Sequence, residues 1–159
     1  MKKKHNSALR SSALQITFIS LSAVLLTLAA APAAMGTPCV ETAGYWANHP
    51  NAWCIQSIQL GCQVYTQSEA IAIIHNSTSG DRTYSLAAQL IAAKLNTYCA
   101  GADSSCAASA INSADMWLCQ HPIGSGVPAN SRDWKAINPT YNTLVNYNEG
   151  QLCVPECRS

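Results

Sequence analysis

Residues 81–98 read DRTYSLAAQLIAAKLNTY. Apolar side chains recur there every three or four positions, a spacing that is typical of one face of an α-helix. The repeating positions are Tyr84, Ala87, Ala88, Ile91, Leu95 and Tyr98. Leu86 and Leu90 widen this apolar face, so the pattern predicts a central, largely buried helix over residues 82–98. Asp81 is placed to cap its start and Gly101 to end it.

Lys94 falls within the apolar arc of this helix, beside Leu90, rather than with the polar positions. A lysine there must extend its amine to water or meet an acid. Glu69, Asp103 and Asp115 are the candidate partners. Burial can also make a lysine catalytic, so a catalytic amine and a structural ion pair both remain open, and we expect the structural pair.

The segments around the central helix predict a mainly α fold. Residues 66–69 read TQSE, a capping box that begins a helix ending near His75. Alternating β-branched residues about a glycine predict a short β-hairpin near residues 55–65. The remaining predictions are a helix over 103–118, a short turn over 131–137, a helix over 139–150 and an irregular segment over 37–53. The expected domain therefore has about five short helices, a hairpin and disulfide clamps.

Eight cysteines follow the first 36 residues, and none lies within them. They are Cys39, Cys54, Cys62, Cys99, Cys106, Cys119, Cys153 and Cys157. An even number of cysteines in an exported chain of this size indicates a disulfide framework. No C-x-x-C pair occurs and no histidine lies at ligand spacing, so we expect neither a metal site nor a cofactor.

The pairing stays open, because eight cysteines allow roughly a hundred connectivities. Short sequence separations favour Cys99 with Cys106, across a turn between helices, and Cys54 with Cys62, across the hairpin. Cys119 would then pair with an N-terminal or tail cysteine.

Residues 1–36 have the three zones of a secretory signal peptide. Lys2, Lys3, Lys4 and Arg10 precede an apolar run over residues 16–31, and small residues close it, with cleavage after residue 33 or 36. The run is shorter than the roughly 20 residues of a membrane span. We therefore predict a signal peptide over 1–36, a single secreted helical domain over 37–159, and a secreted, extracellular or periplasmic location.

Removal of the leader changes the charge balance. Four of the nine basic residues lie before residue 37 and none of the eight acids does, so the remainder has a formal net charge of −3. Its five cations are scattered singly, without a basic stripe or a polybasic patch. This composition argues against nucleic acid as a partner and against a membrane span after cleavage.

Two segments resemble those of a group of uncharacterised exported proteins, mainly bacterial. Residues 44–53, GYWANHPNAW, resemble a G-Y-W-x-N-H-P-x-A-W opening, and residues 86–96 resemble an L-A-x-Q-L-I-A-A-K-L-N helix. The likeness covers about residues 43–118 and implies export, and it carries no activity over to this chain. This chain has more cysteines than the resemblance implies, which indicates added cross-linking.

Tyr45, Trp46, Asn48, His49 and Trp53 form a dense cluster of aromatic and polar residues. Exposed rings would form a stacking platform for a sugar, with Asn48 and His49 as polar partners. Buried rings would instead form a hydrophobic plug that fastens the N-terminal segment to the central helix. We expect the plug, and we list these five residues as the candidate ligand-binding set.

Three hypotheses of function follow. The first is a secreted or cell-surface structural or binding module without catalysis, whose partner is a glycan or another cell-surface ligand. The second is a small exported hydrolase that uses Lys94, or a histidine, with an acid. The third is a carbohydrate-binding module built on Trp46 and Trp53. No catalytic residues are predicted, because the sequence lacks nucleophile-elbow, zinc-protease and phosphate-loop motifs.

Overall fold

A computed structural model describes residues 38–77 and 80–158. The leader predicted over residues 1–36 lies outside them. The described part contains five α-helices and one antiparallel two-stranded hairpin. The helices are α1 (Ala43–Asn48), α2 (Gln67–His75), α3 (Arg82–Tyr98), α4 (Ala108–Gln120) and α5 (Arg132–Asn148), and the strands are β1 (Ser57–Leu60) and β2 (Gln63–Thr66). The predicted fold class, mainly α with a short hairpin, is confirmed.

Helix α3 is the centre of the core, and α1, α2, α4 and α5 all contact it. Leu86, Leu90, Ile91 and Leu95 are fully buried along it. Each such side chain contributes about 1.5–3 kcal/mol when it leaves water. The Asp81 carboxylate caps the helix by accepting a hydrogen bond from Thr83 N–H. The helix and its cap are therefore where the periodicity predicts them.

The hairpin turns tightly at Gly61. Leu60 pairs with Gln63, and Gly61 has a φ of 59° as the first residue of the two-residue turn. This position favours glycine in a type II′ turn. A Cβ atom at Gly61 would lie 2.7 Å from Leu118 C and from Cys119 N. The turn therefore rests directly on the backbone at the end of α4, which only glycine permits.

The start of α2 carries the predicted capping box. Glu69 N–H donates to Thr66 Oγ1, and Thr66 N–H donates to Glu69 Oε2 at 2.7 Å. The backbone and hydroxyl hydrogen bonds from Thr66 hold the pKa of the Glu69 carboxyl below its usual range. Both orphan N–H groups at this end are thus satisfied, as the TQSE sequence predicts.

Two predictions about where helices lie in this part of the chain were wrong. The segment expected to be irregular contains α1, which Thr42 caps by accepting from Tyr45 N–H, and a 3₁₀ turn over Pro50–Ala52. Helix α4 begins at Ala108 rather than near residue 103. Asp103 instead accepts from Ser105 N–H in the preceding turn, so its side chain stabilises a loop and not a helix start.

Helix α5 is continuous where we expected a short turn and a separate helix beginning at Pro139. The helix runs from Arg132 to Asn148 with Pro139 inside it. Trp134, Ile137, Leu144 and Tyr147 are buried on both sides of the proline, and their burial outweighs the missing N–H.

Four disulfides join all eight cysteines. The pairs are Cys39–Cys157, Cys54–Cys99, Cys62–Cys119 and Cys106–Cys153. The framework is confirmed, whereas the expected pairings were wrong: Cys99 does not bond to Cys106, Cys54 does not bond to Cys62, and Cys119 bonds to neither an N-terminal nor a tail cysteine. Each bridge instead spans at least 45 residues.

The geometry of the hairpin explains one of these errors. Strand β1 lies between Cys54 and Cys62, and a strand of that length extends about 13 Å. Bridged Cα atoms lie within about 7 Å of one another, so the two cysteines are too far apart to bond. Cys62, at the turn, instead meets Cys119 at the end of α4. Cys99 bonds instead to Cys54 in the N-terminal segment, and Cys106 bonds to Cys153 in the tail.

The two ends of the described chain lie side by side. Val40 and Glu156 form an isolated parallel bridge, in which Val40 N–H donates to Pro155 O and Cys157 N–H donates to Val40 O, each at 2.9 Å. The Cys39–Cys157 disulfide closes the same junction. Across residues 38–77 and 80–158, no helix combines the length and apolarity needed to cross a bilayer.

Candidate binding site at the N-terminal aromatic cluster

The two indoles of the cluster are buried. Trp46 is 2% exposed and Trp53 is 7% exposed. Trp46 Nε1–H donates to Asn96 Oδ1 of α3 at 3.1 Å, and Trp53 Nε1–H donates to Trp46 O at 2.9 Å. Their polar atoms are thereby satisfied inside the core. Trp46 therefore joins α1 to α3, Trp53 bonds to α1, and both rings are too buried to form an open stacking platform for a sugar.

Tyr45, Asn48 and His49 lie at the outer side of α1. Tyr45 is half-buried, whereas Asn48 and His49 are exposed. The His49 ring stacks on Tyr45 with centroids 4.2 Å apart, and its Nδ1 donates to Tyr45 O at 2.9 Å. Asn48 Nδ2 donates to Gly44 O. These three residues are the most accessible part of the predicted ligand-binding set.

A groove of about 350 Å³ lies beside Tyr45. Its volume falls at the lower end of the range for small-ligand sites. Pro38, Glu41, Tyr45, Trp46, Ala52 and Ala100 line it, together with cysteines of the Cys39–Cys157 and Cys54–Cys99 disulfides. The sequence predicted the aromatic wall but not Glu41, because no periodic or motif signal connects residue 41 with the cluster.

A buried amide network supports the groove from below. Asn96 Oδ1 accepts from Glu41 N–H, and Asn96 Nδ2 donates to Glu41 O and to Asn148 Oδ1. Asn148 Nδ2 donates in turn to the backbone and side-chain oxygens of Gln89. Because Asn96 is fully buried and bonded on every side, it fixes the backbone of residue 41 relative to α3 and α5.

Lys94 is buried, with 6% of its surface exposed, and it carries the ion pair that its helical position predicts. Its Nζ lies 2.6 Å from Asp115 Oδ2 and donates to Gln59 O at 2.7 Å. Asp115 Oδ1 accepts from Gly61 N–H at 2.9 Å. Of the three acids considered, Asp115 is thus the partner. The pair ties α3, α4 and the hairpin together.

Lys94 also lines a second cleft, of about 230 Å³, between α3 and α4. Tyr98, Ser104, Ile111 and Asn112 form much of its wall. Tyr98 is 58% exposed at its edge. The Lys94 amine is bonded to Asp115 and Gln59, and the other lining residues supply hydroxyl, amide and apolar groups.

A second aromatic cluster, which the sequence analysis missed, lies between α4 and α5. Trp117 stacks on His121 at 4.1 Å and meets Trp134 edge-on, and the Arg82 guanidinium lies 5.5 Å from the Trp134 ring centroid. His121 Nε2 lies 3.7 Å from Asp133 Oδ2. The residues of this cluster are distant in sequence. Only the helical spacing of Trp117 and His121 could have indicated any part of the cluster.

Asp81 binds the loop that connects α4 to α5. Its two carboxylate oxygens accept from the backbone N–H groups of Thr83, Gly126 and Val127. Burial raises the pKa of the Asp81 carboxyl, but these hydrogen bonds, with one from the Thr83 hydroxyl, outweigh it and leave the pKa below its usual range. Asp81 is therefore a structural anion.

In the described ranges, no group of three or more histidine, cysteine or acidic side chains is arranged to hold a metal ion. His75 lies exposed at the end of α2.

No protein-family model, curated protein or solved structure matches this chain. The resemblance of residues 44–53 and 86–96 to exported proteins stays a prediction.

Proposed function

We propose that this protein is an exported binding module, held rigid by disulfides, without a catalytic role of its own. We also propose that the protein comes from a bacterium and acts outside the cell, at the cell surface or in the medium. The leader pattern over residues 1–36 and the resemblance of residues 44–53 support export. Four disulfides indicate an extracellular or otherwise oxidising compartment.

The observation that carries the proposal is the arrangement around Lys94. A catalytic lysine must present its amine to a substrate, whereas this amine is directed to Asp115 and to the Gln59 carbonyl. Asp115 in turn holds the Gly61 amide. The three contacts join separate elements of the fold, so the pair supports a structural role in preference to the hydrolase alternative.

The binding part of the proposal rests on the groove beside Tyr45. Two disulfides, the Asn96 network and the buried Trp46 indole fix its walls. A site that is already ordered loses little conformational entropy on binding. The burial of Trp46 and Trp53 argues against a sugar platform made of their rings, so the accessible groove is the better candidate.

Amine labelling of the folded protein tests the non-catalytic role. Acetic anhydride at neutral pH, followed by peptide mass spectrometry, reports how accessible each lysine is. Lys135 is exposed on α5 and serves as the internal control. We expect Lys135 to be acetylated at once and Lys94 only after unfolding in urea. Equal labelling of both lysines in the folded state would show an accessible Lys94 amine and would favour the hydrolase.

A further inference from the structure

The groove beside Tyr45 joins apolar walls to one carboxylate. Tyr45, Ala52, Ala100 and two disulfides supply apolar and aromatic surface. Glu41 is the charged side chain among its described lining residues. A site of this composition is complementary to a ligand that has an apolar stem and a positively charged end.

The position of Glu41 is fixed by its backbone. Its N–H donates to Asn96 Oδ1 at 2.8 Å, and its carbonyl accepts from Asn96 Nδ2 at 2.9 Å. The carboxylate is not used in this anchoring. Within residues 38–77 and 80–158, no lysine, arginine or histidine lies within ion-pair distance of it. The fold therefore holds a carboxylate at the groove that has no ion-pair partner among these residues.

A second carboxylate, that of Glu156, lies near Glu41. Burial and the neighbouring Glu156 carboxylate raise the pKa of the Glu41 carboxyl, while His49 lowers it. Arg158 lies with Glu156 along an adjoining cavity. The ionisable side chains around Glu41 are thus those of Glu156 and His49, with Arg158 along the adjoining cavity. A cation that enters the groove would relieve the repulsion between Glu41 and Glu156.

We propose that this groove receives an arginine or lysine side chain from an extended segment of a partner protein. The stem packs on Ala52 and Ala100, the cationic end meets Glu41, and the Tyr45 ring adds a cation–π contact. Arginine fits best, because its guanidinium can pair with a carboxylate and stack on a ring at once. This inference rests on the proposed binding function and names its partner class.

Titration with short peptides tests the inference on the disulfide-intact protein. The probe is acetyl-Gly-Arg-Gly-amide, and its neutral match replaces arginine with citrulline, which has the same shape without the charge. Amide shifts in ¹⁵N NMR spectra locate the binding. We expect the arginine peptide to shift the amides of Glu41, Tyr45, Ala52 and Ala100, with a millimolar Kd that weakens as salt rises. The citrulline peptide should bind at least about tenfold more weakly.

Two variants separate the groove from overall charge. Glu41→Gln keeps the shape of the side chain and should weaken the arginine peptide about tenfold. Asp133→Asn also removes one negative charge, from an exposed site on α5. This variant should leave the Kd of the arginine peptide unchanged. Unaltered spectra outside the groove would establish that both variants fold.

Several results would overturn the inference. They are equal binding of arginine and citrulline peptides, shifts located elsewhere, no shifts at all, or equal effects of the two variants. If N-acetylglucosamine shifts the groove amides and the arginine peptide does not, the cationic partner is wrong while the binding function stands. The Lys94 labelling test reports the non-catalytic role independently of all these outcomes.

Discussion

Replacing Trp46 by alanine tests whether the N-terminal cluster is a structural plug. The Trp46 ring is 2% exposed and its indole N–H donates to Asn96 Oδ1. Truncating a buried tryptophan typically destabilises a protein by about 3–5 kcal/mol. The lost hydrogen bond adds about 1 kcal/mol, and no more, because Asn96 Oδ1 keeps the Glu41 N–H.

We therefore expect Trp46→Ala to lower the free energy of unfolding by about 4–6 kcal/mol, a large part of the roughly 5–15 kcal/mol of a typical domain. For a domain of this size, that loss lowers Tm by roughly 15 °C. Urea melts with intact disulfides, at a constant m-value, measure it. Tyr98→Ala is the control, since that ring is 58% exposed, and it should change stability by less than about 1 kcal/mol. A near-normal stability of Trp46→Ala would refute the plug.

Four further predictions concern the ion pair, the hairpin turn, the Asp81 anion and the disulfides. Lys94→Ala should destabilise by about 2 kcal/mol more than Lys94→Met in urea melts, because methionine keeps most of the buried stem; equal and negligible effects would make Lys94 a surface residue. Gly61→Ala should be more destabilising than Gly101→Ala by about 1–3 kcal/mol, since both have positive φ but only the first Cβ meets backbone; similar losses would exclude the close approach to α4. Hydrogen bonds lower the pKa of the Asp81 carboxyl, so its stabilisation is complete above the unfolded value of about 4 and is lost as the pH falls through the folded value; the stability difference between wild type and Asp81→Asn should shrink over that acid range, and a constant difference would contradict this. Intact-mass analysis with a thiol-blocking reagent should find all eight cysteines oxidised, and adducts at two or more sites would refute the framework.

Local sequence signals predicted much of the secondary structure. The periodicity of residues 82–98, the TQSE capping box and the glycine of the hairpin each describe interactions between residues that are close in sequence. The burial of Lys94 followed from the same periodicity. Its partner could be narrowed only to three acids, because the choice of Asp115 depends on how α4 packs beside α3.

Long-range features could not be predicted in this way. The disulfides join residues at least 45 positions apart, and their pairing depends on where the helix ends meet. The charge of the groove likewise requires Glu41 and Glu156 to come together through the bridge between the two ends of the chain. The continuity of α5 through Pro139 reflects tertiary burial that overrides a local helix-breaking signal.

The junction of Cys39 with Cys157 has a mechanical consequence. A force that pulls on the two ends of the described chain acts at neighbouring points of the domain. The covalent bond then carries the tension. The chain between these two cysteines, which are 118 positions apart, bears none of it until the bond is reduced. In an oxidising environment the domain should resist a pull on its two ends without lengthening, and reduction should make it extensible.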